Sequence, residues 1–239
     1  MSMIKFENVV KRYGKKVALD GVSFEILQGE LFTLLGPNGA GKTTTMKLMA
    51  GLLKPDGGEI IVDGLKNFED PEAVKSRIGY IPDEPFIYPE LSGREFVYFV
   101  GGLFGLDRKT LQHRFEELRE RFEIGDWVDT PASGYSHGMR QRILFVQALI
   151  HDPEILIIDE PMVGLDPKAA RIVKQVLRER VERGNTVVMS THTLSLAEEI
   201  SDRICLINRG KIAGVVEIER ISEKGFSDVE ELYFSFTEG

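Results

Sequence analysis

The run Leu31-Phe32-Thr33-Leu34-Leu35 passes directly into Gly36-Pro37-Asn38-Gly39-Ala40-Gly41-Lys42-Thr43-Thr44. A short apolar run suits a buried strand, and the residues beyond the glycines suit a helix, so the segment reads as a strand, a loop and a helix in immediate succession. Glycines let consecutive backbone N–H groups curl around phosphate oxygens, and the helix aims its positive end at the same anion. Lys42 adds a charge for the β/γ position of a triphosphate, and Thr43 offers a hydroxyl to Mg²⁺. Gly-rich turns between strand and helix also occur without any ligand. With the strand, Lys42 and Thr43 all in place, this segment reads as a complete P-loop that binds nucleoside triphosphate through Gly36, Pro37, Asn38, Gly39, Ala40, Gly41, Lys42, Thr43 and Thr44.

Patterning around the loop predicts an α/β fold. Ile4 and Phe6 alternate with polar residues, as do Val22, Phe24 and Ile26, which gives a hairpin-rich β region ahead of the P-loop strand. A helix over Thr44 to Leu53 is expected to stop at Lys54-Pro55-Asp56-Gly57-Gly58, and Glu59 to Val62 and Ile78 to Ile81 read as further strands. The middle changes character. Ser92 with Glu95 makes a capping box, and Leu111, Phe115, Leu118 and Phe122 recur at helical spacing, so residues 86 to 150 are expected to be mostly helical. From Ile155 on, the strands Ile155 to Ile158, Val187 to Met189 and Ile204 to Ile207 alternate with helices, the first of them over Lys168 to Arg183. Such alternation predicts a mostly parallel sheet with helical crossovers. The expected organisation is residues 1–85, an N-terminal antiparallel β region with the P-loop part of the core; 86–150, an inserted α-helical subdomain; and 151–239, the rest of the core and the C-terminal end.

Composition narrows the class. The 239 residues can bury a full core, and 42% hydrophobic with 28% charged residues is ordinary for a globular chain. A net charge of −8 argues against broad attraction to nucleic acid, whose binding rests on Lys and Arg neutralising phosphates. The single cysteine, Cys205, permits no intrachain disulfide and reads as a small core residue in a reducing compartment. The longest apolar candidate, Phe96 to Leu106, is about half the ~20 residues a membrane-spanning helix needs, so any membrane role is expected to come through a partner. Met1 to Lys5 lacks a signal-peptide pattern.

Ile155 to Ile158 ends in Asp159-Glu160. A buried strand of this kind delivers two carboxylates to its C-terminal edge, where ligands sit in open α/β sheets and where the P-loop also lies. Asp159 is placed to hold Mg²⁺ through a bound water. Glu160, expected on the opposite side of the strand alternation, is placed to take a proton from an attacking water. A helix cap or a solvated strand end is the alternative for an isolated pair of acids.

These motifs, in this order, resemble the nucleotide-binding subunit of an ATP-binding cassette (ABC) transporter over nearly the whole chain. Tyr135-Ser136-His137-Gly138-Met139-Arg140-Gln141 resembles the signature loop, and Ser136 also reads as the N-cap of the helix carrying Met139, Ile143, Val146 and Ile150. The resemblance implies that Ser136, His137 and Gly138 face the ATP held by a partner subunit. It implies that Asp166, in Gly164-Leu165-Asp166-Pro167, lies on the loop crossing the dimer interface; helix capping before Pro167 is the other reading. Tyr13 resembles the aromatic that stacks on adenine, and His192 the switch histidine that steadies the attacking water. By themselves a lone tyrosine reads as surface or packing, and His113, His137 and His151 as structural.

Two positions depart from the family pattern. Asp83, in Ile78-Gly79-Tyr80-Ile81-Pro82-Asp83, stands where glutamine is usual and remains a candidate Mg²⁺ ligand with Thr43 and Asp159. His137 replaces a glycine. The Tyr-Ser-x-Gly-Met signature and the acidic-aromatic end Val229 to Phe236 resemble the bacterial exporter group. The resemblance implies an ATPase with ATP and Mg²⁺ as cofactors and Glu160, His192 and Lys42 as catalytic residues. Its implied partners are a second nucleotide-binding subunit, identical or related, and integral membrane transporter subunits, for which Phe86, Ile87, Tyr88 and Leu91 are candidates as an exposed apolar groove; core packing is the other reading of these four. No nucleic acid is expected. The implied location is the cytoplasm, peripheral on the inner face of the cell membrane. A soluble ABC ATPase of DNA repair, chromosome handling or translation is the alternative.

Overall fold

The computed structural model describes residues 1–237, so the last two residues of the 151–239 region lie outside it. Strands β1 (Ser2–Tyr13) and β2 (Lys16–Leu27) alternate buried and exposed positions and pair antiparallel, with Tyr13 opposite Lys16 at the hairpin end. β3 (Leu31–Leu35) is buried at every position, as a strand covered on both faces must be. Helix α1 (Lys42–Met49) follows the glycine loop. β4 (Gly57–Val62) returns antiparallel onto β1 and carries the short β5 (Leu65–Lys66), giving a sheet of order β2-β1-β4-β5.

Next come α2 (Pro71–Ser76) and β6 (Ile78–Ile81), then α3 (Gly93–Leu103), α4 (Arg108–Arg121) and α5 (His137–Leu149), with two 3-10 turns between α4 and α5. The remainder alternates: β7 (Ile155–Asp159), α6 (Pro167–Glu182), β8 (Thr186–Thr191), α7 (Leu194–Ile200), β9 (Arg203–Asn208) and β10 (Lys211–Glu217), ending in α8 (Val229–Thr237). The second sheet runs β10-β9-β3-β8-β7-β6 and is parallel except for β10. Its order places β7, with its acids, one strand away from β3, with its phosphate loop; β8 lies between them. The fold is the expected α/β one, with an antiparallel N-terminal sheet and a mostly parallel main sheet.

Local signals set the helices. Ser92 and Glu95 form the capping box at the start of α3, and Leu111, Phe115 and Phe122 are buried along and just beyond α4. Each such side chain withdrawn from water contributes about 1.5–3 kcal/mol. Helix α1 is shorter than the pattern to Leu53 suggests. Asn67, distant in sequence, donates its side-chain amide to Leu48 O at 2.9 Å and Met49 O at 3.0 Å, which satisfies terminal carbonyls that a longer helix would have used. Cys205 is fully buried in the core, as expected.

Candidate active site

The P-loop is held open for an anion by its own backbone. Gly41, at φ 116°, precedes α1 and offers no side chain to cap it, so the amides of the first helical turn keep their hydrogen-bonding capacity. A Cβ at Gly41 would stand 2.8 Å from Leu19 Cδ2 and 3.0 Å from Ala18 O, so the loop also needs glycine for its packing against β2. Lys42 is 7% exposed and its Nζ donates to Gly36 O at 2.7 Å and Pro37 O at 3.3 Å. Burial pushes its pKa down, while Glu160, Asp159 and Asp83 push it up in turn. The ammonium thus faces loop carbonyls and a group of acids. A cleft at this point is lined by Tyr13, Lys16, Ala18, Asn38, Gly39, Gly41, Lys42, Thr43, Thr44, Asp83, Asp159 and Glu160.

β7 ends at Asp159, and Glu160 turns away at φ 53°. The two acids therefore do not sit on opposite sides of one alternation, as expected from the strand pattern: the left-handed turn at Glu160 brings both to the same cleft. A non-glycine residue in that conformation costs on the order of 1–3 kcal/mol and persists where its surroundings over-determine it. Here Glu160 N–H donates to Ser190 O at 3.1 Å, and Thr191 Oγ1 donates to Glu160 Oε2 at 3.2 Å. His192 Nδ1 lies 2.8 Å from Glu160 Oε1, and Lys42 Nζ lies 4.0 Å from the same oxygen. Glu160 is thus oriented from three sides, as a group that receives a proton from a water must be. His192, with 54% of its side chain exposed, keeps Nε2 for another partner.

Asp159 is 1% exposed; Ser190 Oγ donates to its Oδ1, while its Oδ2 is buried with no hydrogen-bond partner. A buried carboxylate oxygen left in this way fits a cation or its bound water. Burial, then the charges of Asp159 and Glu160, raise the pKa of Asp83, so this acid also lies where a positive charge would be welcome. Among the described residues no group of three or more His, Cys, Asp and Glu side chains is arranged to hold a metal alone.

Ser136, His137, Gly138 and Asp166 stand apart: none of them lines this cleft. Ser136 Oγ accepts from Met139 N–H at 3.2 Å as the cap of α5, and Asp166 Oδ1 accepts from Ala169 N–H at 2.9 Å as the cap of α6. Both capping alternatives are therefore realised in the isolated chain. The two loops also meet. Arg142 Nη2 donates to Asp166 Oδ2 at 2.7 Å, and the His137 ring packs against Gly164. The Ala169 amide, ahead of the Arg142 charge, lowers the Asp166 pKa. The tyrosine preceding the signature serine is a fixed post: Tyr135 Oη accepts from Gly93 N–H at 2.8 Å and lies within 3.1 Å of the carbonyls of Trp127, Val128 and Thr130.

Sequence reasoning missed Ser190 and Thr191, which hold the two acids. The available signal was two hydroxyl residues closing a buried strand just before His192. It also missed Lys16 and Ala18 on the cleft wall, which only the β1–β2 hairpin brings there. Of the apolar residues expected to form an exposed groove, Phe86 and Tyr88 are 64% and 47% exposed, whereas Ile87 is buried at 6% and Leu91 packs partly buried on the helical core. Tyr13 is 47% exposed at the mouth of the cleft.

A family model described as ABC transporter matches residues 19–163. The chain is 35% identical over 97% of its length to Nod factor export ATP-binding protein I of Ralstonia nicotianae, of which it covers 72%. It superposes with a TM-score of 0.92 and 29% identity on a solved ATP binding subunit of an ABC transporter, covering 99% of this chain and 100% of that one. A dimeric ATP-binding cassette in a post-hydrolysis state, bound to ADP and Pi, matches with a TM-score of 0.82 and 27% identity over 90% of this chain and 99% of the other.

Proposed function

Since the chain belongs to the ABC transporter family and is an ATPase, we propose that it energises a membrane exporter as one half of a head-to-tail pair in which two chains complete each ATP site. The observation that carries this reading is the incompleteness of the cleft. Lys42, Thr43, Asp159 and Glu160 line it, while Ser136, Gly138 and Asp166 lie outside it in the same chain. Helix α5, capped by Ser136, has an N-terminus suited to an anion, and a second copy is the natural supplier of one.

In this reading the P-loop amides and Lys42 hold the phosphates of ATP and Tyr13 stacks on the adenine. Thr43 and Asp83 would hold Mg²⁺ directly and Asp159 through a water; the ion would neutralise phosphate oxygens and orient them. Glu160 takes a proton from the attacking water, and His192, tied to Glu160, steadies that water against the γ-phosphate. The partner's signature serine and glycine close the site. Hydrolysis removes the phosphate bridge and lets the pair open.

Regions 1–85 and 151–239 form the catalytic lobe, and 86–150 meets the membrane subunits at the exposed ring edges of Phe86 and Tyr88. No helix among the described residues is long and apolar enough to cross a membrane, so attachment at the cytoplasmic face rests on those subunits. The name of the Nod factor relative supports export. Neither the net charge of −8 nor that relative supports a role on nucleic acid.

Mixing two inactive variants tests the shared site. Lys42→Ala keeps an intact signature loop, and Ser136→Arg keeps an intact P-loop, so a mixed pair holds one complete site. Restored phosphate release on mixing is the expected result. Mixtures as inactive as their components would overturn the pairing.

A further inference from the structure

Away from the nucleotide cleft, a cavity of about 390 Å³ opens between α4, α6 and the turn that follows α5. Arg114, Arg121, Arg180 and Arg183 line it. Glu117, Asp152 and Glu179 line it too, yet each is already engaged. Arg121 is bridged to Glu179, Arg180 Nη1 donates to Asp152 Oδ1 at 2.8 Å, and Glu117 lies 3.2 Å from the exposed His113. That leaves Arg114 and Arg183 without a carboxylate in direct contact among the described residues. Arg114 donates one hydrogen bond, to Ile150 O at 3.1 Å, and Arg183 acts on Glu179 through its charge alone.

The deepest of the four is the most telling. Arg180 is 8% exposed, and its Nε is buried with no hydrogen-bond partner, although its other nitrogens reach Asp152 and the Pro153 carbonyl. A buried donor on a charged group is costly to leave unmet. Burial first, and then the charges of Arg180 and Arg114 against that of Asp152, push the pKa of the neighbouring His151 down to about 4. The guanidinium group is the side chain best matched to phosphate geometry, through its planar fork of donors.

We propose that this cavity binds a phosphate-sized oxyanion between Arg114 of α4, Arg180 of α6 and Arg183 just beyond it. An anion there would fasten the helical stretch to the α6 face of the main sheet, in line with the two ion pairs that already cross the same seam, Arg121 with Glu179 and Lys168 with Glu123. The chemistry is that of a free inorganic phosphate or of the terminal phosphates of a larger molecule. Orthophosphate and pyrophosphate as separate probes distinguish the two.

The test is calorimetric titration of the full chain with each probe, in a Lys42→Ala background that removes the main competing phosphate site. One equivalent bound per chain is expected. Binding should weaken at least tenfold on adding Arg114→Gln and Arg183→Gln together, and tighten several-fold on adding Glu117→Gln, which removes an opposing charge from an exposed position. Without Lys42→Ala, the arginine pair of substitutions should leave ATPase in phosphate-free buffer unchanged, which shows a folded chain. Absence of binding in the Lys42→Ala chain, or affinity indifferent to both sets of substitutions, would overturn the proposal. Neither result bears on the shared ATP site, which the mixing experiment addresses separately.

Discussion

The imidazole of His137 lies over the backbone of Gly164, in the space that a side chain on that glycine would occupy. Together with the Arg142–Asp166 ion pair at 2.7 Å, it joins the start of α5 to the loop that begins at Glu160. The part of the chain proposed to touch a partner's ATP is thereby in contact with the part that carries Glu160, the proposed proton acceptor for its own.

Gly164→Ala tests this contact. Gly164 sits at φ 76°, where an L side chain is strained by about 1 kcal/mol, and the added methyl must also displace His137. ATP affinity should change by less than twofold, because the P-loop is untouched, while steady-state phosphate release falls at least tenfold. Unchanged turnover would mean that the contact between the two loops is idle.

Glu160→Gln keeps the shape of the side chain and removes its ability to take a proton. Loss of a general base typically costs about 10² to 10⁴ in rate. The variant should bind ATP and accumulate as a dimer on size-exclusion chromatography with ATP present. Turnover at the wild-type rate would exclude Glu160 as the base.

Asp83→Gln restores the residue usual in the family at a position where burial and three neighbouring acids, Asp159, Glu160 and Glu84, raise the native carboxyl's pKa. If the Asp83 carboxylate binds Mg²⁺, the substitution replaces a charged ligand by a neutral one. The Mg²⁺ concentration for half-maximal hydrolysis should rise several-fold with the maximal rate kept within a factor of a few. A magnesium dependence identical to wild type would remove Asp83 from the metal site.

His151 gives the fold a pH dependence. Its Nε2 lies 3.2 Å from Ile78 O, its ring stacks on Phe104, and its Nδ1 is buried without a partner, so protonation would create an unmet donor. With a folded pKa of about 4, below the unfolded value near 6.5, the native state takes up a proton later than the unfolded chain. Its contribution is therefore complete above pH 6.5 and is lost as the pH falls toward 4. Allowing for solvent screening of a partly exposed ring, about 2 kcal/mol is at stake. Urea denaturation of wild type and His151→Gln should show the stability gap between them narrowing by most of that amount from pH 7 to pH 4.5; parallel profiles would rule it out.

Much of the site was legible because its signals are local. A glycine loop between an apolar run and a lysine, and serine or aspartate caps three residues ahead of the amides they accept from, are relations within a single turn of chain, and Ser92, Ser136 and Asp166 all cap as read. The orientation of Glu160 was not legible, because it rests on partners at the end of β8 and just beyond it, Thr191 and His192, 31 and 32 residues further along. Nor was the length of α1, which Asn67 ends from 18 residues beyond Met49, nor the burial of Ile87 between exposed Phe86 and Tyr88. The sequence by itself determined a phosphate loop, a pair of acids at a strand end and the class of sheet that carries them. Only the tertiary structure decided that β8 lies between β3 and β7, that both acids turn into one cleft, and that Ser136 and Asp166 stay out of it. The physical reason is reach: periodicity and capping act over about four residues, whereas strand order and the partners of a buried carboxylate are set by which distant surfaces exclude water together.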